Sequence, residues 1–199
     1  MLPQLCLNDY GILLFAYLIG SVPFGWVLLQ FSGHGDIRAQ GSGNIGATNA
    51  YRVGGKMVGI FTLLLDAGKG VLVVILAKLM ADREVAALAA AFVVLGHVFP
   101  VYLKFKGGKG VATTLAVLAA LYWPLGLVTA IAWISVFLVT RISSLSSLFA
   151  MIIAPTFALF FSDKAGYSLL YVTMFLSMLV VIRHHANIKR LIMGEEKKL

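Results

Sequence analysis

The stretch VATTLAVLAALYWPLGLVTAIAWISVFLVT, residues 111–140, decides the topology of this chain. It carries no charged residue, and it is longer than the roughly 20 residues that cross a bilayer core of about 30 Å. Pro124 breaks helical hydrogen bonding, and the aromatic Trp123 before it suits a membrane–water interface. We therefore predict two short helices hinged at Trp123–Pro124. The alternative is one long tilted helix.

The rest of the chain is equally apolar. Its 199 residues are 60% hydrophobic, with a mean hydropathy of +0.95 and only 12% charged residues, whereas soluble domains carry about 25%. Further apolar runs, typical of membrane spans, lie near 11–31, 57–77, 85–103, 145–161 and 166–182. The sequence thus predicts an all-α polytopic membrane protein, with one domain over residues 1–199.

The distribution of basic residues favours the hinged arrangement. With it, one side of the membrane holds twelve basic residues: Arg38, Arg52, Lys56, Lys104, Lys106, Lys109, Arg141, Arg183, Lys189, Arg190, Lys197 and Lys198. The other side keeps only Lys78, Arg83 and Lys164. Cytoplasmic loops are enriched in Lys and Arg. We therefore predict seven transmembrane helices, with the N-terminus outside and the C-terminus cytoplasmic.

Several function classes are disfavoured. The single Cys6 excludes an internal disulfide and a cysteine metal site. No carboxylate cluster is placed to hold Mg²⁺, and Gly110 follows Lys109 where a nucleotide-binding P-loop needs Ser or Thr. We expect no metal, no cofactor and no nucleic-acid partner. The net charge of +8 indicates anionic membrane lipids, anionic substrates or both.

The first polar segment on the basic side is GSGNIGATNAYRVGG, residues 41–55. Its five glycines are expected to free backbone N–H groups for an anion nest. Ser42, Asn44 and Asn49 add neutral hydrogen-bonding groups, and Arg52 adds a guanidinium that matches phosphate. The alternative is a glycine-rich turn with a topogenic arginine.

The second polar segment is KFKGGKGVAT, residues 104–113. Lys106 and Lys109 flank Gly107 and Gly108, and Gly110 precedes a helix expected from Val111. A helix N-terminus attracts anions, so we predict that Lys106, Gly107, Gly108, Lys109 and Gly110 bind phosphate. Topogenic lysines on a turn would explain the charges but not the glycines.

The third polar segment is RHHANIKRLIMGEEKKL, residues 183–199. On a helix His184 and Asn187 lie one turn apart, while His185 points about 100° away from His184. The alternative is a basic helix bound to anionic lipid. Before it, RISSLSS (141–147) offers four serines, of which helix capping explains at least one.

Three smaller signals lie within the spans. Asp66 and Lys69, at i and i+3, are expected to pair with each other. His97 is equally consistent with a structural and a functional role. Gly20, Ser21 and Gly25 suit close helix packing.

The three polar segments together resemble the signature motifs of the bacterial acyl-phosphate:glycerol-3-phosphate acyltransferases. GSGNIGATNAYR, KFKGGKGVAT and RHHANIKRL stand in the same order and between similar spans. The resemblance implies transfer of an acyl group from acyl phosphate to glycerol 3-phosphate, the first membrane step of phospholipid synthesis. It implies acyl phosphate as donor, not acyl-CoA or acyl carrier protein, and a site at the cytoplasmic face. The H-x-x-x-x-D signature of soluble-type glycerolipid acyltransferases is absent.

The resemblance also implies roles for individual residues. It places substrate contacts at Ser42, Arg52, Lys106 and Ser144, and it matches His184 and Asn187 to the third motif. We predict that His184 and Asn187 are catalytic, with His184 either as the general base or as a group that orients glycerol 3-phosphate while a substrate phosphate takes the proton. The tandem His184–His185 departs from the His–Arg of the family. Expected partners are acyl phosphate, glycerol 3-phosphate, membrane lipids and the soluble enzyme that makes acyl phosphate. The alternative functions are an anion or phosphate transporter and a structural membrane subunit.

Overall fold

The fold is all-helical in this computed structural model, which describes residues 5–199 and contains no strand within them. Two short 3₁₀ turns, Ile37–Ala39 and Val101–Leu103, lie in the connections. The α-helices are α1 (Leu7–Gly20), α2 (Phe24–Phe31), α3 (Ala47–Met80), α4 (Arg83–Val98), α5 (Val111–Leu121), α6 (Trp123–Thr140), α7 (Ser143–Phe160), α8 (Ser162–Ala165), α9 (Tyr167–Arg183) and α10 (His185–Ile192).

Several segments of the fold are long and apolar enough to cross a membrane. Within residues 5–199, five segments qualify on length and composition: Leu7–Phe31, Ala47–Met80, Arg83–Leu103, Trp123–Thr140 and Ser143–Phe160. A sixth is formed if α9 and α10, bent by 59°, are taken as one span. The remaining apolar helix, α5, has only 11 residues. The all-α membrane fold is confirmed, while seven spans and their orientation stay predictions.

The hinge in residues 111–140 is present. Helix α5 ends at Leu121 and α6 begins at Trp123, with Tyr122 in an extended conformation at φ −150° and ψ 102°. Pro124 lies in the first turn of α6, where its missing N–H costs no helical hydrogen bond. The alternative of one long helix is therefore wrong.

Helix α3 differs from the expected span near 57–77. It starts at Ala47, inside the first polar segment, and it is kinked at Gly55, whose φ of 81° and ψ of −177° are not helical. Only glycine adopts that conformation readily. The kink separates the turn that carries Arg52 from the apolar length of the helix.

The described residues form two compact units, the first ending at Val117 and the second spanning Leu118–Leu199. In the first unit α1 and α3 pack on α4, and α2 packs on α3. A Cβ at Gly20 would overlap the backbone of Val93, and one at Gly25 would overlap the carbonyl of Ile45. The close packing expected at both glycines is thus confirmed.

In the second unit α7 packs against α6 and α9. Its apolar core contains Leu118, Leu125, Ala158 and Leu169. The bend between α9 and α10 falls at His184, which has φ −94° and ψ 8°. We expected the third polar segment to continue as one helix from Arg183, and this expectation is wrong. The prediction of a single domain is untested.

Candidate active site

The loop before α3 is organised by Asn49, which is buried in the first turn of that helix. Its Nδ2 donates to the carbonyls of Gln40 (3.0 Å), Asn44 (2.9 Å) and Ile37 (3.4 Å). Its Oδ1 accepts from the backbone N–H of Ser42 at 2.8 Å. The Asn49 amide is therefore used to shape the loop, and the substrate contact of Asn49 stays a prediction.

The N–H groups of Ser42 and Gly43 do not form the expected anion nest, because both donate hydrogen bonds within the loop. The Ser42 N–H bonds Asn49, and the N–H of Gly43 donates to the carbonyl of Gln40 at 3.0 Å. Gly41 has φ 59°, and a Cβ there would overlap the Asn49 side chain. The glycines therefore permit a tight turn around Asn49. Ser42 and Arg52 remain exposed, and Asn44 is half-buried.

The second polar segment is folded tightly against the end of α4. The N–H of Gly108 donates to the carbonyl of His97 at 3.1 Å. A Cβ at Gly107 would overlap that carbonyl and Pro100, and a Cβ at Gly108 would overlap the imidazole of His97. The N–H of Gly108 is therefore used within the protein, and close packing explains both glycines. Gly110 is at φ 84°, a conformation that favours glycine.

Two lysines of this segment, Lys106 and Lys109, differ in exposure. Lys106 is exposed and Lys109 is half-buried. Helix α5 then starts at Val111, as expected, and the carbonyl of Gly110 accepts from the N–H of Thr114 at 2.8 Å. Lys106 therefore presents its charge at the start of the turn that leads into α5.

One apolar cluster supports both the first and the second polar segments. It consists of Leu29, Ile37, Ile45, Ala50 and Leu103, all buried. Ile37, Ile45 and Ala50 come from the first segment and its approach, while Leu103 directly precedes the second. The first and second polar segments therefore pack on the same apolar cluster, although they are about fifty residues apart in the sequence.

In the second unit, His184 is 2% exposed at the junction of α9 and α10. Its Nδ1 lies 2.7 Å from the carbonyl oxygen of Val180. A carbonyl only accepts, so Nδ1 carries a proton and the neutral ring has its lone pair on Nε2. The neighbouring His185 is exposed, which confirms that the two rings point in different directions.

Glu196 is a residue that the sequence did not single out. Its Oε1 accepts from Ser144 Oγ at 2.7 Å and from Asn187 Nδ2 at 2.6 Å, and its Oε2 accepts from Arg190 Nε at 2.6 Å. Burial raises the pKa of this carboxyl, but the three hydrogen bonds and the Arg190 charge outweigh burial and leave the pKa below its ordinary value. The feature of the sequence that could have indicated this contact is Gly194, because glycine commonly ends a helix. In the structure Gly194 has φ 72°, ends the helix and turns the chain back.

Glu196 also distinguishes among the serines at the start of α7. The hydroxyl of Ser146 donates to the carbonyl of Ile142 at 2.9 Å, and that of Ser147 to the carbonyl of Ser143 at 2.8 Å. The hydroxyl of Ser144 instead reaches Glu196, and through it the Asn187 side chain. The structure therefore brings Ser144 together with the third motif, at the position that the motif comparison indicated.

The comparisons with known proteins agree with this grouping of motifs. A family model described as "Glycerol-3-phosphate acyltransferase" matches residues 10–194. A glycerol-3-phosphate acyltransferase of Bartonella henselae is 51% identical over 195 residues, which cover 94% of this chain and 90% of the relative. Another, from Paramagnetospirillum magneticum, is 50% identical over 183 residues, with coverages of 92% and 90%.

Solved structures give the same result. The crystal structure of PlsY (YgiH), described as an integral membrane glycerol 3-phosphate acyltransferase in its glycerol 3-phosphate form, superposes with a TM-score of 0.90 at 36% identity over 96% of both chains. The lysophosphatidic acid form gives a TM-score of 0.88 over 96% of this chain and 95% of that one. The chain described here therefore belongs to the glycerol-3-phosphate acyltransferase family of integral membrane proteins.

Proposed function

We propose that this protein transfers a fatty acyl group from acyl phosphate to the sn-1 hydroxyl of glycerol 3-phosphate. The products are 1-acylglycerol 3-phosphate, a lysophosphatidic acid, and inorganic phosphate. Family membership supports an enzyme that acylates glycerol 3-phosphate. The choice of acyl phosphate as donor, the sn-1 position and a site at the cytoplasmic face of the bacterial inner membrane rest on the three motifs and the charge distribution.

The observation that carries the proposal is the hydrogen bond of His184. With Nδ1–H donated to Val180, Nε2 is the nitrogen that can accept a proton from the attacking hydroxyl. Asn187 lies one turn further on, and Glu196 orients its amide. We assign to Asn187 the stabilisation of the oxyanion that develops on the acyl carbonyl.

The phosphate groups are assigned to the basic residues of the first unit. Arg52 and Lys106 are both exposed, on segments that share one apolar cluster. A guanidinium binds phosphate through paired hydrogen bonds, and an ammonium adds a compact charge. Holding both phosphates fixes the hydroxyl near the acyl carbon, which can lower the barrier by several kcal/mol, up to about 10.

The reaction is proposed as a direct transfer. The sn-1 oxygen forms a bond to the acyl carbon, the bond between that carbon and the phosphate oxygen breaks, and phosphate leaves with the bonding pair. The hydroxyl proton passes to Nε2 of His184 and then to the released phosphate. Phosphate is a good leaving group, so no covalent acyl-enzyme and no strong general acid are needed.

The test is a product assay on the detergent-purified protein. Palmitoyl phosphate is supplied with and without glycerol 3-phosphate, and palmitoyl-CoA is the parallel donor. We expect phosphate and lysophosphatidic acid in equal amounts, only with glycerol 3-phosphate, and no product from the CoA donor. Absence of lysophosphatidic acid from a folded preparation would overturn the proposal and favour anion transport. An acyl-protein adduct trapped without glycerol 3-phosphate would overturn direct transfer.

A further inference from the structure

Three polar side chains that are not assigned to substrate are buried together in the first unit. Asp66 and Lys69 lie in α3 and His97 lies in the last turn of α4, each no more than 4% exposed. Lys69 Nζ is 2.9 Å from Asp66 Oδ1, which confirms the predicted pair. It is also 3.0 Å from His97 Nδ1 and 2.9 Å from the carbonyl of Val22.

These contacts determine which nitrogen of His97 carries the proton. His97 Nδ1 also lies 3.4 Å from Asp66 Oδ1, farther than its 3.0 Å contact with Lys69 Nζ. An ammonium has three N–H donors and no acceptor, so in the shorter contact Lys69 is the donor. Nδ1 of His97 therefore accepts from Lys69. A neutral ring then carries its proton on Nε2.

The glycine loop, residues 106–110, packs against the same imidazole ring. A Cβ at Gly108 would overlap Nε2 of His97, and the His97 carbonyl accepts the N–H of Gly108 at 3.1 Å. Just beyond the loop, Thr113 Oγ1 donates to the carbonyl of Asp66 at 3.0 Å. The loop is thus tied to His97 within it and to Asp66 just past its end.

An ion pair alone would satisfy the buried charges of Asp66 and Lys69. That pair does not explain why His97 is buried in contact with them. Side chains in a buried polar network are held in place by their contacts with one another. Here the network ends against the backbone of the loop to which phosphate binding is assigned.

We propose that His97 is a positioning residue for this reaction: Asp66 orients Lys69, Lys69 fixes the Nε2–H form of the His97 ring, and the ring and its carbonyl set the backbone of the glycine loop for one substrate phosphate. This inference rests on the proposed function. It differs from plain packing, because packing requires the volume of the ring and not its proton arrangement.

The first test needs no substrate. We would label histidine with ¹⁵N and record the imidazole resonances of the detergent-solubilised protein, using H97N to assign His97. The expected signature is a neutral ring protonated on Nε2, which changes in K69M. A ring protonated on Nδ1 or on both nitrogens in the unsubstituted protein, or an unchanged signature in K69M, would overturn the inference.

The second test separates positioning from loss of folded protein. In K69M we expect the KM for one of the two phosphate substrates to rise about tenfold, equivalent to about 1.4 kcal/mol, with the other KM within about twofold. Partial unfolding would instead lower kcat and leave both KM values unchanged, which would contradict the inference. K78M, which makes the same replacement at an exposed position of α3, is the control and should change neither KM.

If K69M does not fold, the double variant D66N/K69M is measured in its place, because it leaves no unpaired buried charge. The same signature change and KM shift are expected, and their absence would overturn the inference. Lysophosphatidic acid formation with unshifted KM values would reject the inference and keep the proposed function. A correct His97 signature with no lysophosphatidic acid formed would reject the function.

Discussion

At the residue scale, a single hydrogen bond to Val180 gives His184 its chemical role. We expect H184A to lower kcat about 10²- to 10⁴-fold, the range for loss of a general base, with smaller changes in either KM. Steady-state kinetics with palmitoyl phosphate and glycerol 3-phosphate would measure this. H185A is the matched control, because His185 is adjacent in the sequence but exposed, and it should stay within about twofold. Equal losses in both variants would contradict the assignment.

Two arginines near the first motif allow a similar comparison. Arg52 is assigned to a substrate phosphate, and Arg38 forms an ion pair with Asp36 at 2.6 Å. A hydrogen bond between charged groups contributes about 1.5–3 kcal/mol, so R52A should lower kcat/KM about 10- to 100-fold. R38A should lower it by less than about threefold. If R38A were the more damaging variant, the phosphate assignment of Arg52 would be wrong.

Glu196 should couple the stability of the second unit to pH. Since its pKa is lowered on folding, its ionised form stabilises the fold above the ordinary value of 4.5, and that stabilisation is lost as the pH falls through the lowered pKa. We expect E196Q to lower the free energy of unfolding by about 1–3 kcal/mol at pH 7.

Thermal unfolding in detergent at pH 7 and at pH 4 would measure this effect. The difference between E196Q and the unsubstituted protein should be smaller at the lower pH. E195Q is the control, since Glu195 is exposed, and it should leave the unfolding temperature unchanged at both values. A difference that grows on acidification would have the wrong sign for a carboxyl with a lowered pKa.

At the element scale, the contact of α1 with α4 depends on glycine. A Cβ at Gly20 would overlap the backbone of Val93, and one at Gly96 would overlap the carbonyl of Tyr17. G20A should therefore destabilise the protein by about 1–3 kcal/mol. G11A lies in the same helix with nothing within 4 Å of the added Cβ. It should be neutral or stabilising by up to about 1 kcal/mol. Comparable unfolding temperatures for both variants would contradict the packing argument.

What could be read from the sequence at this scale was local. Pro124 marks the break between α5 and α6 because proline lacks the N–H that a continuing helix needs. Asp66 and Lys69 pair because residues three apart in a helix lie on one face. The spacing of His184 and Asn187 was also local. The two residues are about one helical turn apart both in a continuous helix and in the helix that bends at His184.

What the sequence could not predict depends on contacts between distant segments. Gly107 and Gly108 look like a flexible phosphate loop, yet their place is determined by His97 and Pro100, which press against them. Glu196 looks like part of a charged tail, yet it accepts hydrogen bonds from Ser144 and Asn187. In each case the signal is a tertiary neighbour, which motif spacing alone does not encode.

At the scale of the whole molecule, α5 decides the topology. A helix rises 1.5 Å per residue, so its 11 residues extend only about 16 Å, against a bilayer core of about 30 Å. The 18 residues of α6 extend about 27 Å. The distribution of Lys and Arg nevertheless favours a crossing between the second polar segment and Trp123. Local thinning of the bilayer at α5 would satisfy both constraints at a modest cost.

The parity of the spans therefore tests whether α5 crosses. Seven spans put the two ends of the chain on opposite sides of the membrane, whereas six put them on the same side. The natural Cys6 is exposed at the start of α1, and K198C in a C6S background supplies the matching thiol near the other end.

We expect a membrane-impermeant maleimide to label Cys6 in intact spheroplasts, and to label K198C only after the membrane is permeabilised. The C6S protein without an added cysteine controls for background labelling. Labelling of both thiols before permeabilisation, or of neither, would mean that α5 does not cross. The second and third polar segments would then lie on opposite faces of the membrane, and the positive-inside argument would fail for Arg141 and the basic C-terminal segment.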